Sequence, residues 1–213
     1  MQQVTIALAK GRLSELTIEL LERCNVDCRE LRDPGRRLIL SDGEGLYRFL
    51  LVKPADVPTY VHYGVADIGV AGKDTLMEAN LPLYEMLDLG FGRCRLCICG
   101  FPEKKDRAVT VSNLRVATKY PLIASQWYHA KGQNIDVIKL HGSVELGPLT
   151  DLADVILDVV ESGKTLEENG LVVLEQVGEV SARVVVNRVS LKTKSERICA
   201  LISALSTALE EGK

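Results

Sequence analysis

The chain has 213 residues, 46% of them hydrophobic, which is enough to bury one large core or two modest ones. A formal net charge of −3 and a pI near 5.7 offer no general attraction to nucleic acid or an anionic membrane, and 5% aromatic residues leave few surfaces for stacking bases. The N-terminus lacks the basic lead of a signal peptide, and no apolar run approaches the roughly 20 residues that span a bilayer, so a cytoplasmic protein is expected.

Residues 4–8 read as a short β-branched strand and 14–23 as an amphipathic helix, with Leu16, Ile18, Leu20 and Leu21 as its apolar side. Between them, Ala9-Lys10-Gly11-Arg12 sets a glycine and two cations at a strand-to-helix turn, which is either an anion-binding arrangement or an ordinary solvated turn. The turn Asp33-Pro34-Gly35-Arg36-Arg37 opens a strand over 38–40, and a hairpin through Asp42-Gly43 leads into a strand over 46–52. Arg36 and Arg37 emerge at a strand edge, where either can be a plain solvated charge. Pro58 starts a short helix that ends at His62. Residues 64–74 make a strand that ends in small residues and enters a helix over 75–78. The glycines there let a ligand approach the backbone, and Asp67 and Asp74 are ligand contacts or simple caps.

Residues 87–92 lead into the apolar strand 94–99, and the polar stretch 102–107 marks a crossing into a second lobe. That lobe holds strands over 114–118, 135–140 and 171–177 and a helix begun by Pro121. A strand over 182–187 returns to the first lobe, and a helix over 195–211 closes the chain with Ile198, Leu201, Ile202, Leu205 and Leu209 as its apolar face. Strands alternating with helices argue for an α/β protein with largely parallel sheets. The expected lobes are 1–93 with 184–213, and 94–183. A short echo, Val65-Ala66-Asp67-Ile68 against Leu152-Ala153-Asp154-Val155, suggests that the two lobes are built alike.

Cys94, Cys97 and Cys99 resemble a metal-binding C-x-x-C, but on a strand Cys94 and Cys97 point to opposite faces. No second pair completes four zinc ligands, so all six cysteines read as small apolar side chains.

The most informative stretch is Ala153-Asp154-Val155-Ile156-Leu157-Asp158-Val159-Val160-Glu161-Ser162-Gly163-Lys164-Thr165-Leu166. A buried strand with two acids runs into a small-residue turn at a helix start, where hydroxyls and N–H groups suit a phosphate monoester. Gly163-Lys164-Thr165 is not the end of a Walker A loop, because the position that needs the motif's first glycine holds Asp158. Asp154 and Asp158 share a strand face about 13 Å apart if extended, so they cannot both grip one ribose diol. Asp158 is the better ribose candidate. Asp154 is equally well explained as a strand-end cap.

The segments Ala9-Lys10-Gly11-Arg12, residues 64–74, Leu89-Gly90-Phe91-Gly92-Arg93-Cys94-Arg95-Leu96 and residues 145–170 together resemble ATP phosphoribosyltransferase, in order and over essentially the whole chain. The length resembles the short form of that family. The resemblance implies a two-lobed fold of the type II periplasmic-binding-protein kind, with mixed sheets and flanking helices. It implies transfer of the 5-phosphoribosyl group from 5-phosphoribosyl 1-diphosphate to N1 of ATP, the first step of histidine biosynthesis, with magnesium as cofactor. It implies a histidyl-tRNA-synthetase-like regulatory subunit as partner, in a homodimer or hetero-octamer, with no role for nucleic acid or membrane.

By the same resemblance Arg12 and Arg36 stabilise the leaving diphosphate. Glu145, Asp154, Asp158, Ser162, Gly163, Lys164 and Thr165 hold 5-phosphoribosyl 1-diphosphate, with Glu145 on ribose hydroxyls or magnesium-bound water. Lys10, Gly11, Asp67 and Asp74 fall to ATP, and no metal ligand is assigned. Asp151 stands where the family favours glycine, and a carboxylate there is unfavourable beside a phosphate-rich ligand unless it points away. A solute-binding or effector-sensing module of the same fold is the alternative, and it needs neither the Ser-Gly-Lys-Thr loop nor the paired cations.

Overall fold

The computed structural model, described over residues 3–104 and 113–212, divides into a first unit of Met1–Gly92 with Ser181–Lys213 and a second of Arg93–Val180. In the first unit β1 (Val4–Ala9) leads into α1 (Arg12–Arg23), then α2 (Arg29–Arg32), the hairpin of β2 (Ile39–Ser41) and β3 (Tyr47–Val52), α3 (Val57–His62), β4 (Ile68–Gly72), α4 (Lys73–Ala79) and β5 (Tyr84–Asp88). The second unit contains β6 (Cys94–Gly100), β7 (Leu114–Thr118), α5 (Pro121–Ala130), β8 (Ile135–Lys139), α6 (Leu146–Leu149), β9 (Val155–Val160), α7 (Lys164–Glu168) and β10 (Val172–Val180). The chain then returns to the first unit as β11 (Ala182–Val186), α8 (Ser190–Thr193) and α9 (Ser195–Glu211).

Each unit is built on one mixed sheet, with strand order β2-β3-β1-β4-β11-β5 in the first and β10-β6-β9-β7-β8 in the second. β1 is parallel to β3 and β4, and β7 is parallel to β8 and β9, whereas β2, β5, β6, β10 and β11 pair antiparallel. The expectation of largely parallel sheets is thereby narrowed: the parallel strands sit side by side within each sheet and the antiparallel ones flank or join them.

β1 is buried along its whole length because helices cover both faces of the first sheet. On one face Val4, Ile6 and Leu8 pack with Ile18, Leu20 and Leu21 of α1 and Ile198, Leu201 and Leu205 of α9. On the other face the sheet presents small side chains, Ala7, Ala9 and Ala71, to Val57 and Val61 of α3. Gly69 shows why they are small: a Cβ there would lie 2.6 Å from Val61 Cγ2 and 2.8 Å from Val57 Cγ1.

In the second unit the strands alternate in the same way. Leu96, Ile98, Val155 and Leu157 face α5 through Ile123, Ala124 and Tyr128, while Cys97, Cys99, Ile156 and Val160 face Val144 and Leu166. Cys94 packs with the first set and Cys97 with the second, as the strand period requires. Buried surroundings push the Cys99 thiol up to about 12, with the nearby charges of Cys97, Asp158 and Glu145 acting in the same direction.

Several elements depart from the sequence expectations. α1 starts at Arg12, two residues early, because Gly11 caps it at φ 115°, with its carbonyl accepting from the Ser14 N–H at 2.9 Å. β5 was not anticipated, since Tyr84, Glu85 and Met86 of this edge strand are exposed and show no alternation. The chain passes to the second unit at Gly92–Arg93, ahead of β6 and one residue from the lobe bound expected at 93, and the polar stretch 102–107 is not the crossing. β6 belongs to the second sheet because it pairs with β9 and β10; residues 105–107 of that stretch lie outside the described residues.

Candidate active site

The parallel strands β7, β8 and β9 all end on the same edge of the second sheet, and the segments that follow them carry the polar side chains. Ligands of α/β sheets gather at such carboxyl edges. After Val160 the chain turns through Glu161-Ser162 to Gly163, which caps α7 in the left-handed region at φ 81°. Only glycine adopts this without strain, so the sharp turn from strand to helix is encoded by that residue. The Ser162 hydroxyl accepts from the Lys164 N–H at 3.4 Å, and the first N–H groups of α7 have no carbonyl within the helix to bond. Leu166, buried against Leu171 and Val160, anchors the loop from below.

These residues line a pocket of about 250 Å3 with Glu145, Ile156, Asp158, Val159, Ser162, Gly163, Lys164 and Thr165 in its wall. Asp158 is its one acid on the strand itself, placed between Ile156 and Val160 on an otherwise apolar face. Burial pushes its carboxyl above the usual aspartate value; the Lys119 ammonium and the Val159 N–H counter part of that push, and the like charge of Glu145 adds to it. Lys119 immediately follows β7, with its Nζ 3.6 Å from Asp158 Oδ1. The structure therefore brings together Glu145, Asp158, Ser162, Gly163, Lys164 and Thr165 of the residues singled out in the sequence.

Asp154 is not among them. It sits before β9, at the opposite end of the strand, where its carboxylate accepts from the Arg115 N–H at 3.1 Å and Arg115 Nε at 3.4 Å. Burial pushes its carboxyl up, but these hydrogen bonds and the charges of Arg115 and Lys104 outweigh that and hold it below the ordinary value. Its role is to join the starts of β7 and β9, which corrects its assignment to the phosphoribosyl pocket. Asp151 lies with it: its carbonyl accepts from Arg115 at 2.9 Å, and its φ of 56° is a conformation glycine adopts more easily. Asp151 is not in the wall of the pocket that Ser162 to Thr165 line.

In the first unit β1, β3 and β4 also end on a common edge, and each is followed at once by a lysine: Lys10, Lys53 and Lys73. Gly11 and Arg12 continue from β1 into α1, and Lys73 and Asp74 open α4. Lys10 donates its N–H to the Val52 carbonyl at 3.1 Å, and Lys73 pairs with Glu85 at 2.5 Å. The Asp74 carboxylate folds back over Gly72, where a Cβ would meet its Oδ1 at 2.2 Å. Because β2 runs antiparallel to β3, with the Leu38 carbonyl accepting from the Leu51 N–H, Arg36 reaches the same edge just before β2 begins. Lys10, Gly11, Arg12, Arg36 and Asp74 are thus assembled on one side of one sheet.

Asp67 is again the exception. It precedes β4, on the opposite edge from Gly72, and is only 4% exposed. Its carboxylate accepts from the Thr5 N–H at 2.8 Å and the Lys194 ammonium at 2.7 Å. It has no freedom to meet a nucleotide, and its assignment to ATP is corrected to a structural one.

The sequence profile of ATP phosphoribosyltransferase matches residues 53–207. The chain belongs to the ATP phosphoribosyltransferase family. The ATP phosphoribosyltransferase of Ruminiclostridium cellulolyticum is 50% identical over 210 residues, which span 98% of both chains. Among solved structures, the ATP phosphoribosyl transferase (HisG:HisZ) complex from Thermotoga maritima superposes with a TM-score of 0.86 at 32% identity, covering 99% of this chain and 100% of that one. The periplasmic aliphatic sulphonate binding protein SsuA of Escherichia coli, at 14% identity and TM-score 0.59 over 98% of this chain and 73% of that one, shares the fold. This is the periplasmic-binding-protein fold that the resemblance implied.

Seen as an ATP phosphoribosyltransferase, the chain has site-edge residues that sequence reasoning passed over. Lys119, Lys53 and Lys73 follow β7, β3 and β4, and the signal that could have found them is a lysine placed directly after the last residue of a parallel strand. No group of three His, Cys, Asp or Glu side chains among the described residues is placed to hold a metal ion. No helix among the described residues is long and apolar enough to cross a membrane.

Proposed function

We propose that the chain transfers the 5-phosphoribosyl group of 5-phosphoribosyl 1-diphosphate to N1 of ATP and releases diphosphate, opening histidine biosynthesis. The observation that carries the reading is the pocket after β9, in which Ser162, Gly163, Lys164 and Thr165 form a cradle beside Asp158 and Glu145. The cradle takes the 5′-phosphate through hydroxyls and the N–H groups at the start of α7, and Asp158 and Glu145 accept the ribose hydroxyls. The edge of the first sheet carrying Lys10, Gly11 and Asp74 takes ATP.

The chemistry asks little of an acid or base, because N1 of adenine is already nucleophilic. The bond between C1 and the diphosphate oxygen breaks as N1 bonds to C1, and the electron pair leaves with the diphosphate. The charge that grows there is what Arg12 and Arg36 stabilise, so catalysis is positioning plus electrostatic complementarity. A divalent cation supplies further neutralisation. Magnesium is the cation expected, a hard ion that keeps several waters, and Glu145 would be the residue to meet one of them. A regulatory subunit of the kind present in the Thermotoga maritima complex is the expected partner.

The test is to mix the chain with ATP, 5-phosphoribosyl 1-diphosphate and magnesium, with and without that subunit, and follow diphosphate. Release dependent on both substrates supports the reading. No release under either condition overturns it.

A further inference from the structure

Asp158 is an ionisable side chain on an apolar face, and its surroundings leave it under-supported. Its Oδ1 is buried and has no hydrogen-bond partner among the described residues, and only 16% of the side chain is exposed. The side chain is held on the pocket wall between Ile156 and Val160. The groups around it are Lys119 from the end of β7, Cys97 and Cys99 from β6 and Glu145 from the start of α6, with Glu161 and Lys164 of its own loop elsewhere in the pocket wall. Of these, Lys119 has its Nζ 3.6 Å from Oδ1, with 40% of its side chain in contact with solvent.

We propose that Lys119 is a positioning residue of the phosphoribosyl pocket, its ammonium holding the Asp158 carboxylate in the orientation that accepts a ribose hydroxyl. This rests on the reading of the pocket given above. A carboxylate accepts hydrogen bonds at both oxygens, whereas a protonated carboxyl turns one of them into a donor and loses its grip on a diol. Burial and the charge of Glu145 both favour the protonated form of Asp158, and Lys119 is the side chain that opposes them. Partial exposure suits the role: Lys119 can shift by less than an ångström to close on Oδ1 as a ligand displaces water from the pocket.

The experiment is the pH dependence of kcat/KM for 5-phosphoribosyl 1-diphosphate, measured with the regulatory subunit present, for the unaltered chain, Lys119→Met, Lys119→Arg, Asp158→Asn and Lys119→Met combined with Asp158→Asn. Lys119→Met should move the acid limb up by about one pH unit, since a neighbouring opposite charge shifts a carboxyl by at least that much. Lys119→Arg should restore it, and Lys119→Met should cause no further loss in the Asp158→Asn background. A 13C titration of the Asp158 carboxyl in the unliganded chain should move in the same direction, and this measurement needs no turnover. An acid limb that stays put in Lys119→Met, or losses that multiply in the double variant, would mean that Lys119 touches the ligand independently and would overturn the proposal. Absence of turnover by the unaltered chain would overturn the reading of the reaction as well, so the two failures are distinguishable.

Discussion

Asp67 and Thr5 bind each other twice. The Asp67 N–H donates to the Thr5 carbonyl at 2.8 Å, and the Asp67 carboxylate accepts from the Thr5 N–H at 2.8 Å. Asp154 and Arg115 repeat the arrangement in the second unit, with the Asp154 N–H on the Arg115 carbonyl at 2.9 Å and its carboxylate on the Arg115 N–H at 3.1 Å. The Ala-Asp echo in the sequence is therefore real in structure. It marks how two parallel strands are locked together at their starts, β1 to β4 and β7 to β9.

Removing Asp67 leaves the buried Thr5 N–H without its acceptor, while Lys194, partly exposed, keeps the Gln3 carbonyl. Asp67→Ala should destabilise the chain by about 1–3 kcal/mol in denaturant unfolding. In whatever fraction folds, the KM for ATP should stay unchanged, and a rise confined to that KM would return Asp67 to the nucleotide site.

The Asp154 carboxyl is held below the ordinary aspartate value of 3.8, so its contribution is present above that pH and is lost as the pH falls through the lower folded value. The stability difference between the unaltered chain and Asp154→Asn should be constant near neutrality and shrink below about pH 4. Unfolding midpoints measured from pH 3 to 7 check this, and a gap that grows in acid contradicts it.

Gly69→Ala places a methyl group against Val61 and Val57. The backbone of β4 and helix α3 must separate to admit it, at a cost of about 1–3 kcal/mol. A neutral result in thermal unfolding would show that α3 is less closely seated than this.

Thr165→Ala and Arg12→Ala should separate binding from chemistry. The first should mainly raise the KM for 5-phosphoribosyl 1-diphosphate. The second should mainly lower kcat, by roughly 100-fold or more if Arg12 supplies one preorganised charge to the leaving group. Unchanged affinity in Thr165→Ala would remove the 5′-phosphate assignment.

Alkylation of the native protein should label Cys199, which is exposed, and spare Cys97 and Cys99, which are fully buried. Burial also keeps the Cys99 thiol protonated, with its pKa raised to about 12, so even a small reagent meets little thiolate. Peptide mass mapping after brief treatment measures this, and early modification of Cys99 would count against a closed face beneath the phosphate loop.

The motif residues were legible because their chemistry is local. Ser162 to Thr165 follow a β-branched strand directly, and Gly163 must take a positive φ for the chain to turn there, so strand, loop and helix start are all written in consecutive residues. The opposite faces of Cys94 and Cys97 were legible for the same reason, since strand periodicity needs no partner. Asp67 and Asp154 were misread because an acid beside a strand looks the same whether it meets a ligand or a neighbouring backbone N–H. The residues that distinguish the two cases, Thr5 and Arg115, lie 62 and 39 positions away.

By itself, then, the sequence determined the alternation of strands and helices, the strand, turn and helix start around Gly163 and the family, all carried by short-range patterns. Only the tertiary structure decided which end of each strand an acid occupies and that Lys119 stands beside Asp158. Strand pairing sets those facts, and pairing is fixed by packing between segments distant in the chain, where a one-residue change of register would carry every side chain to the other face.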